Sequence, residues 1–326
     1  MEKLSICVLI YKSIDFIDKC IKSLLSQTDL DYELVLIDNS SPDGSIDRAI
    51  QLLKNANFKT YKIVKIANNT GCGQGRTKGY LAADGKYIKN LDSDDMLPPN
   101  FVETIKRAID EDDPDLICYG HKVVDKDGNT IRKIGAYNEP IFAKYNITMF
   151  WRYVFKKENA VKLNIDTDGM HYAEDRYFSL KLIPSIKKVT IINQFLYSYV
   201  KNENSTTNKI NQDKFKNSNL LILSEYKTLI DKVSDSYEKQ CLVYALTKFY
   251  ISILSMNCKG EKSKIEEYYD LYTKEYLKSL HRDKFNMWKI IPSKCVCKES
   301  LVIQISYLLL KLKFRGIFNF IYTKLY

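Results

Sequence analysis

The strongest constraint on the fold is a strand-and-helix alternation that runs through the first hundred residues. Leu4–Tyr11 is a nearly continuous apolar run of strand length, as expected for a strand covered on both faces. Ser13 is placed to cap a helix in which Phe16, Ile17, Cys20, Ile21, Leu24 and Leu25 recur at three- and four-residue spacing. A second strand, Tyr32–Asp38, ends in the turn-rich Asn39-Ser40-Ser41-Pro42-Asp43-Gly44. Helix 45–56 follows, with Ile46, Ala49, Ile50 and Leu53 on one face. A third strand is Thr60–Ile66. A glycine-punctuated loop and short helix, Gly71–Ala83, then lead to a fourth strand, Lys86–Leu91, and a helix over 99–110. That order predicts an α/β fold with a mostly parallel sheet and helices on both faces.

The pattern then changes. Leu116–Val124 and Thr130–Ile134 read as a hairpin around Asp127-Gly128, which predicts an antiparallel extension of the sheet. Segment 145–163 is aromatic and basic, Glu174–Leu182 is helical and stops before Pro184, and Lys188–Ile192 reads as a further strand. Asn202–Asn211 has the polar composition of a linker or loop. Beyond it the periodicity is helical over 213–232, 236–257, 262–280 and 299–325. The chain thus divides into two halves of a sheet domain, 1–110 and 111–205, and a helical C-terminal region, 206–326.

Ligands of open α/β sheets bind beyond the carboxyl ends of the strands. Here those ends carry Tyr11, Asp38 and Asp92-Ser93-Asp94-Asp95. Three carboxylates in four residues repel one another unless a cation is shared or water screens them. A divalent ion with oxygen ligands, its shell completed by substrate phosphates, meets that need. A solvated acidic turn before Pro98-Pro99 is the plainer reading. Gly71-Cys72-Gly73-Gln74-Gly75-Arg76-Thr77-Lys78-Gly79 is neither a P-loop, since Arg76-Thr77 follows Gly75, nor a dinucleotide fingerprint, since it follows the third strand. It reads as a permissive backbone opening a helix with two cations, suited to an anionic ligand, or as a simple turn into a helix. Glu174-Asp175 opens another helix, where acids are favoured by the helix dipole alone; a general base would need one of them in a substrate cleft.

Taken in order, Ser5–Tyr11, Glu33–Asp38, Asp43-Gly44-Ser45, Asn69-Thr70-Gly71, Arg76-Thr77-Lys78-Gly79, Ala83–Ile88 and Leu91–Asp95 resemble the motif series of family 2 glycosyltransferases. The resemblance is dense over residues 1–105 and sparser through Trp151–Lys157, Glu174-Asp175 and Leu196–Ser205. It implies a Rossmann-like GT-A fold, a nucleotide-sugar donor, a divalent metal (Mn2+ or Mg2+) and inversion at the anomeric carbon. By position it implies a nucleotide-sugar site of Ile10, Tyr11, Asp38, Asn39, Gly71, Arg76, Asp92 and Ser93, with Asp38 accepting from the base, usually uracil. Asp94, with Asp92, would hold the metal. Asp175 would be the catalytic base, with Glu174 beside it. Three departures bear on base specificity and on the diphosphate contact: Leu9-Ile10-Tyr11-Lys12 replaces the usual Pro-Thr-Tyr-Asn, Asn39 replaces a second acid, and Val200-Lys201 follows Tyr197-Ser198-Tyr199 where many relatives have Arg.

The eight cysteines are mostly single and set in apolar runs, and the Cys295/Cys297 pair has poor zinc spacing. With no signal-peptide pattern and no apolar run of membrane-spanning length, a cytoplasmic protein is expected. Charge is uneven: residues 211–326 carry 20 Lys and Arg against 12 Asp and Glu, a net of +8 out of +10. The alternative this suggests is a basic nucleic-acid- or membrane-binding protein with an inactive GT-A domain. No helix-turn-helix, zinc-finger or RNP-type motif supports nucleic-acid binding, no nucleic-acid partner is expected, and the intact Asp92–Asp95 and Glu174-Asp175 speak against inactivity. Residues 301–326 contain no acid and interleave Lys311, Lys313, Arg315 and Lys324 with aromatic and aliphatic residues. Such a helix either lies in a membrane interface or packs on its neighbours. On the first reading the protein sits peripherally on the inner membrane, where a glycan or lipid-linked glycan acceptor would be met. Deleting 299–326 is then expected to move the chain from the membrane to the soluble fraction; unchanged fractionation overturns the attachment.

Overall fold

The computed structural model describes residues 3–170, 172–201, 211–257 and 262–280. The chain forms two compact units, Met1–Ile210 and Asn211–Tyr326. The predicted helix over 299–325 and most of the linker Asn202–Asn211 lie outside the described residues.

The first unit is built on an eight-stranded sheet. Strands β1 (Leu4–Ile10), β2 (Glu33–Asp38), β3 (Tyr61–Lys65) and β4 (Tyr87–Asp92) alternate with helices α1 (Ile17–Leu25), α2 (Ser45–Asn55) and α3 (Gly71–Ala82). They lie in the order β3-β2-β1-β4, all parallel. Their burial explains the apolar runs: every residue of β1 is buried. After α4 (Phe101–Asp112) come β5 (Leu116–Val124) and β6 (Thr130–Ile134), the predicted hairpin, then α5 (Pro140–Asn146), a 3-10 turn at Phe150–Arg152, β7 (Tyr153–Lys156) and α6 (Lys157–Lys162). The unit closes with α7 (Glu174–Leu182) and β8 (Val189–Val200). Strand β7 joins the two halves of the sheet, pairing antiparallel with both β4 and β5, and β8 runs parallel to β5.

One face of the sheet packs against α1, α2 and α4 through Ile17, Ile21, Leu24, Ala49, Leu53, Phe101 and Ile105. The other packs against α3, α5 and α7 through Tyr80, Ala143, Phe178 and Leu182. Three details differ from the sequence reading. The N-cap of α1 is Phe16 rather than Ser13, which lies a turn earlier: the Ser13 carbonyl accepts the Phe16 and Ile17 amides, while its hydroxyl turns to Ser93. The glycine stretch is helical from Gly71 on, and two of its glycines serve contact with the sheet. A Cβ at Gly75 would stand 2.5 Å from Leu9 Cδ1, and one at Gly79 would overlap the Ile37 side chain. Finally, β8 extends eight residues past Ile192, and β7 sits inside the aromatic stretch that gave no strand pattern.

The second unit contains α8 (Gln212–Lys232), α9 (Ser236–Asn257) and α10 (Lys262–Leu280). Tyr250 on α9 stacks on Tyr276 of α10 with centroids 4.5 Å apart, and Thr247 and Tyr276 hydroxyls lie 2.8 Å apart. Among the described residues no helix is long and apolar enough to cross a membrane.

Overpacking a rigid core costs about 1–3 kcal/mol. Gly79→Ala is therefore expected to lower the unfolding free energy by about that much, read as a shift in urea midpoint at unchanged slope.

Candidate active site

Parallel pairing puts the carboxyl ends of β2, β1 and β4 side by side. Asp38 is in register with Ile10, and Leu9 with Asp92. Ile10 is buried and Tyr11, just beyond it, is 38% exposed. Asp38 accepts the Ser41 amide at 3.0 Å and remains partly exposed. These residues form one end of a rim whose other end is the acidic stretch after β4.

The four residues of that stretch have distinct tasks. Asp92 receives Arg76 Nη2 at 2.6 Å. Ser93 is buried, its hydroxyl 2.5 Å from that of Ser13. Asp95 is buried too and accepts the Tyr197 hydroxyl at 2.5 Å and the Val200 amide at 2.7 Å. A two-way backbone bridge between Met96 and Ser198 reinforces that link. Asp94 stays partly exposed. Burial, then the charges of Asp94 and Asp92, push the Asp95 carboxyl well above the usual range. Beyond burial, the same three acids also push up Tyr199 and Tyr197, and Cys20 behind them. The loop is thus a centre of negative potential.

That potential, and the partly exposed carboxylates of Asp94 and Asp92 as hard oxygen donors, fit a divalent cation, which would need further oxygen ligands to fill its shell. Among the described residues no group of three His, Cys, Asp or Glu side chains forms a cage of its own.

Arg76 ties this loop to α7. Its guanidinium is 11% exposed, contacts Asp92 through Nη2 and Glu174 through Nη1 at 3.1 Å, and lies 4.9 Å over the Phe150 ring. Burial opposes its charge, yet the neighbouring Asp92 and Glu174 carboxylates hold its pKa well above the ordinary value. Next to Glu174, Asp175 accepts the Arg176 amide at 2.7 Å. Burial, and then repulsion by Glu174, push Asp175 up to about 7. A carboxyl poised there is suited to proton abstraction near neutrality. Arg76, Asp92 and Glu174 therefore form one cluster, with Asp94 and Asp175 at its two ends.

Asn39 has a different setting from Asp38. It is 2% exposed; its Nδ2 donates to Asn69 Oδ1 and the Gly71 carbonyl, both at 3.2 Å, and its Oδ1 accepts the Thr70 amide at 3.1 Å. A carboxylate has no N–H to give to those acceptors, which explains an amide at this position. Gly71 follows with φ +81°, a conformation glycine adopts freely.

Two further features escaped the sequence reading. Lys89, on β4, is fully buried; it donates to the Trp151 carbonyl at 2.6 Å and lies 4.5 Å over the Tyr197 ring. Burial pushes its pKa well down. Tyr197 stacks on Trp151 at 4.8 Å. A lysine inside an apolar strand run was the available signal, but its surroundings come from other parts of the chain: the rings of Phe101, Tyr119 and Tyr197 and the Trp151 carbonyl.

A sheet with acids at its parallel ends, extended by antiparallel strands and flanked by a helix that opens on Glu174-Asp175, defines the class: the GT-A fold. Staphylococcus aureus TarS 1–349 in complex with UDP-GlcNAc superposes with a TM-score of 0.68 at 18% identity, over 85% of this chain and 81% of that one. The chain belongs to glycosyl transferase family 2, whose model matches residues 5–173, and is a glycosyltransferase. It is 27% identical over 217 residues to the uncharacterized glycosyltransferase EpsJ of Bacillus subtilis, the match spanning 62% of each chain. To the cholesterol galactosyltransferase of Borreliella burgdorferi it is 25% identical over an alignment of 333 positions, gaps included, covering 89% of this chain and 90% of the relative.

Leaving a buried hydrogen-bonding group unsatisfied costs about 1–3 kcal/mol. Asn39→Asp is expected to lower the unfolding free energy by an amount in that range, read by denaturant titration at neutral pH. Recovery on acidification, as the new carboxyl regains a proton to donate, is the matching signature.

Proposed function

We propose that the protein transfers a sugar from a nucleoside diphosphate sugar, UDP-linked, to a hydroxyl of a glycan or lipid-linked glycan, with inversion and with a divalent metal, Mn2+ or Mg2+. The observation that carries this reading is the Arg76 bridge, which puts a strand-end acidic loop and a carboxyl poised at about 7 into one cluster. The TarS complex, in which the bound molecule is UDP-GlcNAc, supports the choice of UDP, and the cholesterol galactosyltransferase supports a lipid acceptor.

On this reading Tyr11 and Asp38 receive the nucleoside at the ends of β1 and β2, with Ile10, Gly71 and Ser93 shaping the wall around it. Asp92 faces the ribose or sugar. Asp94, aided by Asp92, holds the metal, which when bound supplies Lewis-acid stabilisation of the departing diphosphate. Asp175 takes the proton of the acceptor hydroxyl as that oxygen attacks the anomeric carbon from the face opposite the leaving group. Its proton affinity matters here: an ordinary carboxylate is a weaker base, and Glu174 together with burial raises Asp175 toward the working pH.

Metal-dependent hydrolysis of a panel of UDP-sugars is the direct test, and absence of turnover with every one overturns the donor assignment. With the best donor, Asp94→Ala and Asp175→Asn are each expected to abolish transfer, while Asp175→Asn keeps UDP binding. Because the base must be ionised, the rate is expected to rise with pH through about 7. Glu174→Gln removes the repelling charge and frees Arg76, and both effects favour ionised Asp175, so the acid limb of the profile moves to lower pH. An unmoved limb removes Asp175 from the role.

A further inference from the structure

One face of α3 meets the segment that leads into α7 along its whole length. Tyr80 donates to the Ile165 carbonyl at 3.2 Å and Gln74 to Asp166 at 2.6 Å, while the Thr77 and Thr167 hydroxyls lie 3.4 Å apart. Arg76 reaches Glu174. At Gly73 there is no room for any side chain: a Cβ would stand 2.7 Å from Thr167 Oγ1 and 3.0 Å from Glu174 Cγ. Thr167 is 1% exposed. The segment ends at Ala173, which has φ +53°, a left-handed conformation a non-glycine residue keeps only where its surroundings hold it. Glu174 and Asp175 come next.

We propose that α3 is the seat of the catalytic segment, and that Gly73 and Arg76 are positioning residues that fix Glu174 and Asp175 against the acidic loop. This deepens the reading of Asp175 as the base and rests on it. It differs from the role that the family resemblance implies for Arg76, direct contact with the nucleotide. Both terminal nitrogens of the guanidinium are taken by protein carboxylates, its face lies over Phe150, and it is 11% exposed. The lack of a side chain at Gly73 lets Thr167 and Glu174 approach the helix backbone, and Arg76, one turn on, holds Glu174 there. A shift of about 1 Å in a catalytic group can cost about a hundredfold in rate, so a seat of this kind acts on turnover rather than on donor affinity.

Three variants test it: Arg76→Lys, which keeps the charge but loses the two-pronged contact, Gly73→Ala, and Gly73→Ala combined with Thr167→Gly, which reopens the gap. UDP binding in the presence of Mn2+ is measured by calorimetry, hydrolysis of the preferred UDP-sugar gives kcat and KM, and amide exchange is followed over residues 165–175 in the ligand-free protein. The expected result for both single variants is a kcat at least tenfold lower, UDP affinity within threefold of the parent, and faster exchange across 165–175. The double variant regains at least part of the lost kcat. A tenfold loss of UDP affinity in Arg76→Lys with kcat retained at saturation overturns the proposal in favour of nucleotide contact. Unchanged exchange in both single variants overturns it as well, and that readout decides the seat even if no UDP-sugar is turned over, which would instead refute the donor assignment.

Discussion

The rim of the sheet is organised around one buried positive charge. A guanidinium as enclosed as that of Arg76 is tolerated only with partners, and removing one partner of a buried pair typically costs about 3–5 kcal/mol. Here the partners come from two places far apart in the chain, Asp92 at the end of β4 and Glu174 at the start of α7. The same contact that solvates the arginine therefore also brings the acidic loop after β4 and the start of α7 together. Aromatic packing adds to it, since Phe150 lies under the guanidinium and also packs against Phe178 of α7, with ring centroids 4.8 Å apart.

The acidic loop shows how neighbouring identical residues are given different work by their surroundings. Asp95 is spent on structure, holding Tyr197 and the backbone of β8. Asp92 balances Arg76. Asp94 stays partly exposed, and after burial the three acids together, Asp95 foremost, push up Tyr197 and Tyr199 across the loop. Lys89 lies below, enclosed by aromatic rings, its pKa pushed down by burial against the opposing pull of Asp92 and Asp95.

The first four strands and their helices were legible in the sequence because each apolar run is local and its period is set by the element that carries it. The hairpin at Asp127-Gly128 was legible for the same reason. The acids at 92–95 and 174–175 could be found as strand-end and helix-start clusters, but not their division of labour, because Arg76, Tyr197 and Val200 act on them from distant positions. Glycines at 73, 75 and 79 carry the same letter whether they cradle an anion or let a helix approach a sheet; only the contacts with Leu9, Ile37 and Thr167 tell the two apart. Strand β7 escaped because Tyr153–Lys156 is buried on both faces and short, so that neither alternation nor length marked it. Asn39 looked like a lost acid until its amide was seen to need both a donor and an acceptor.

The bond from Asp95 to Tyr197 and Val200 spans more than a hundred residues of chain. During synthesis β1 to β4 emerge first, able to pair in parallel, yet the loop that crowns β4 lacks its final anchor until β8 has left the ribosome. Loop closure over such a span is entropically slow. A nascent chain that ends before that strand can hold the loop only through Arg76 on Asp92 and Ser13 on Ser93, and Asp95 finds its partners only when the last strand of the sheet arrives.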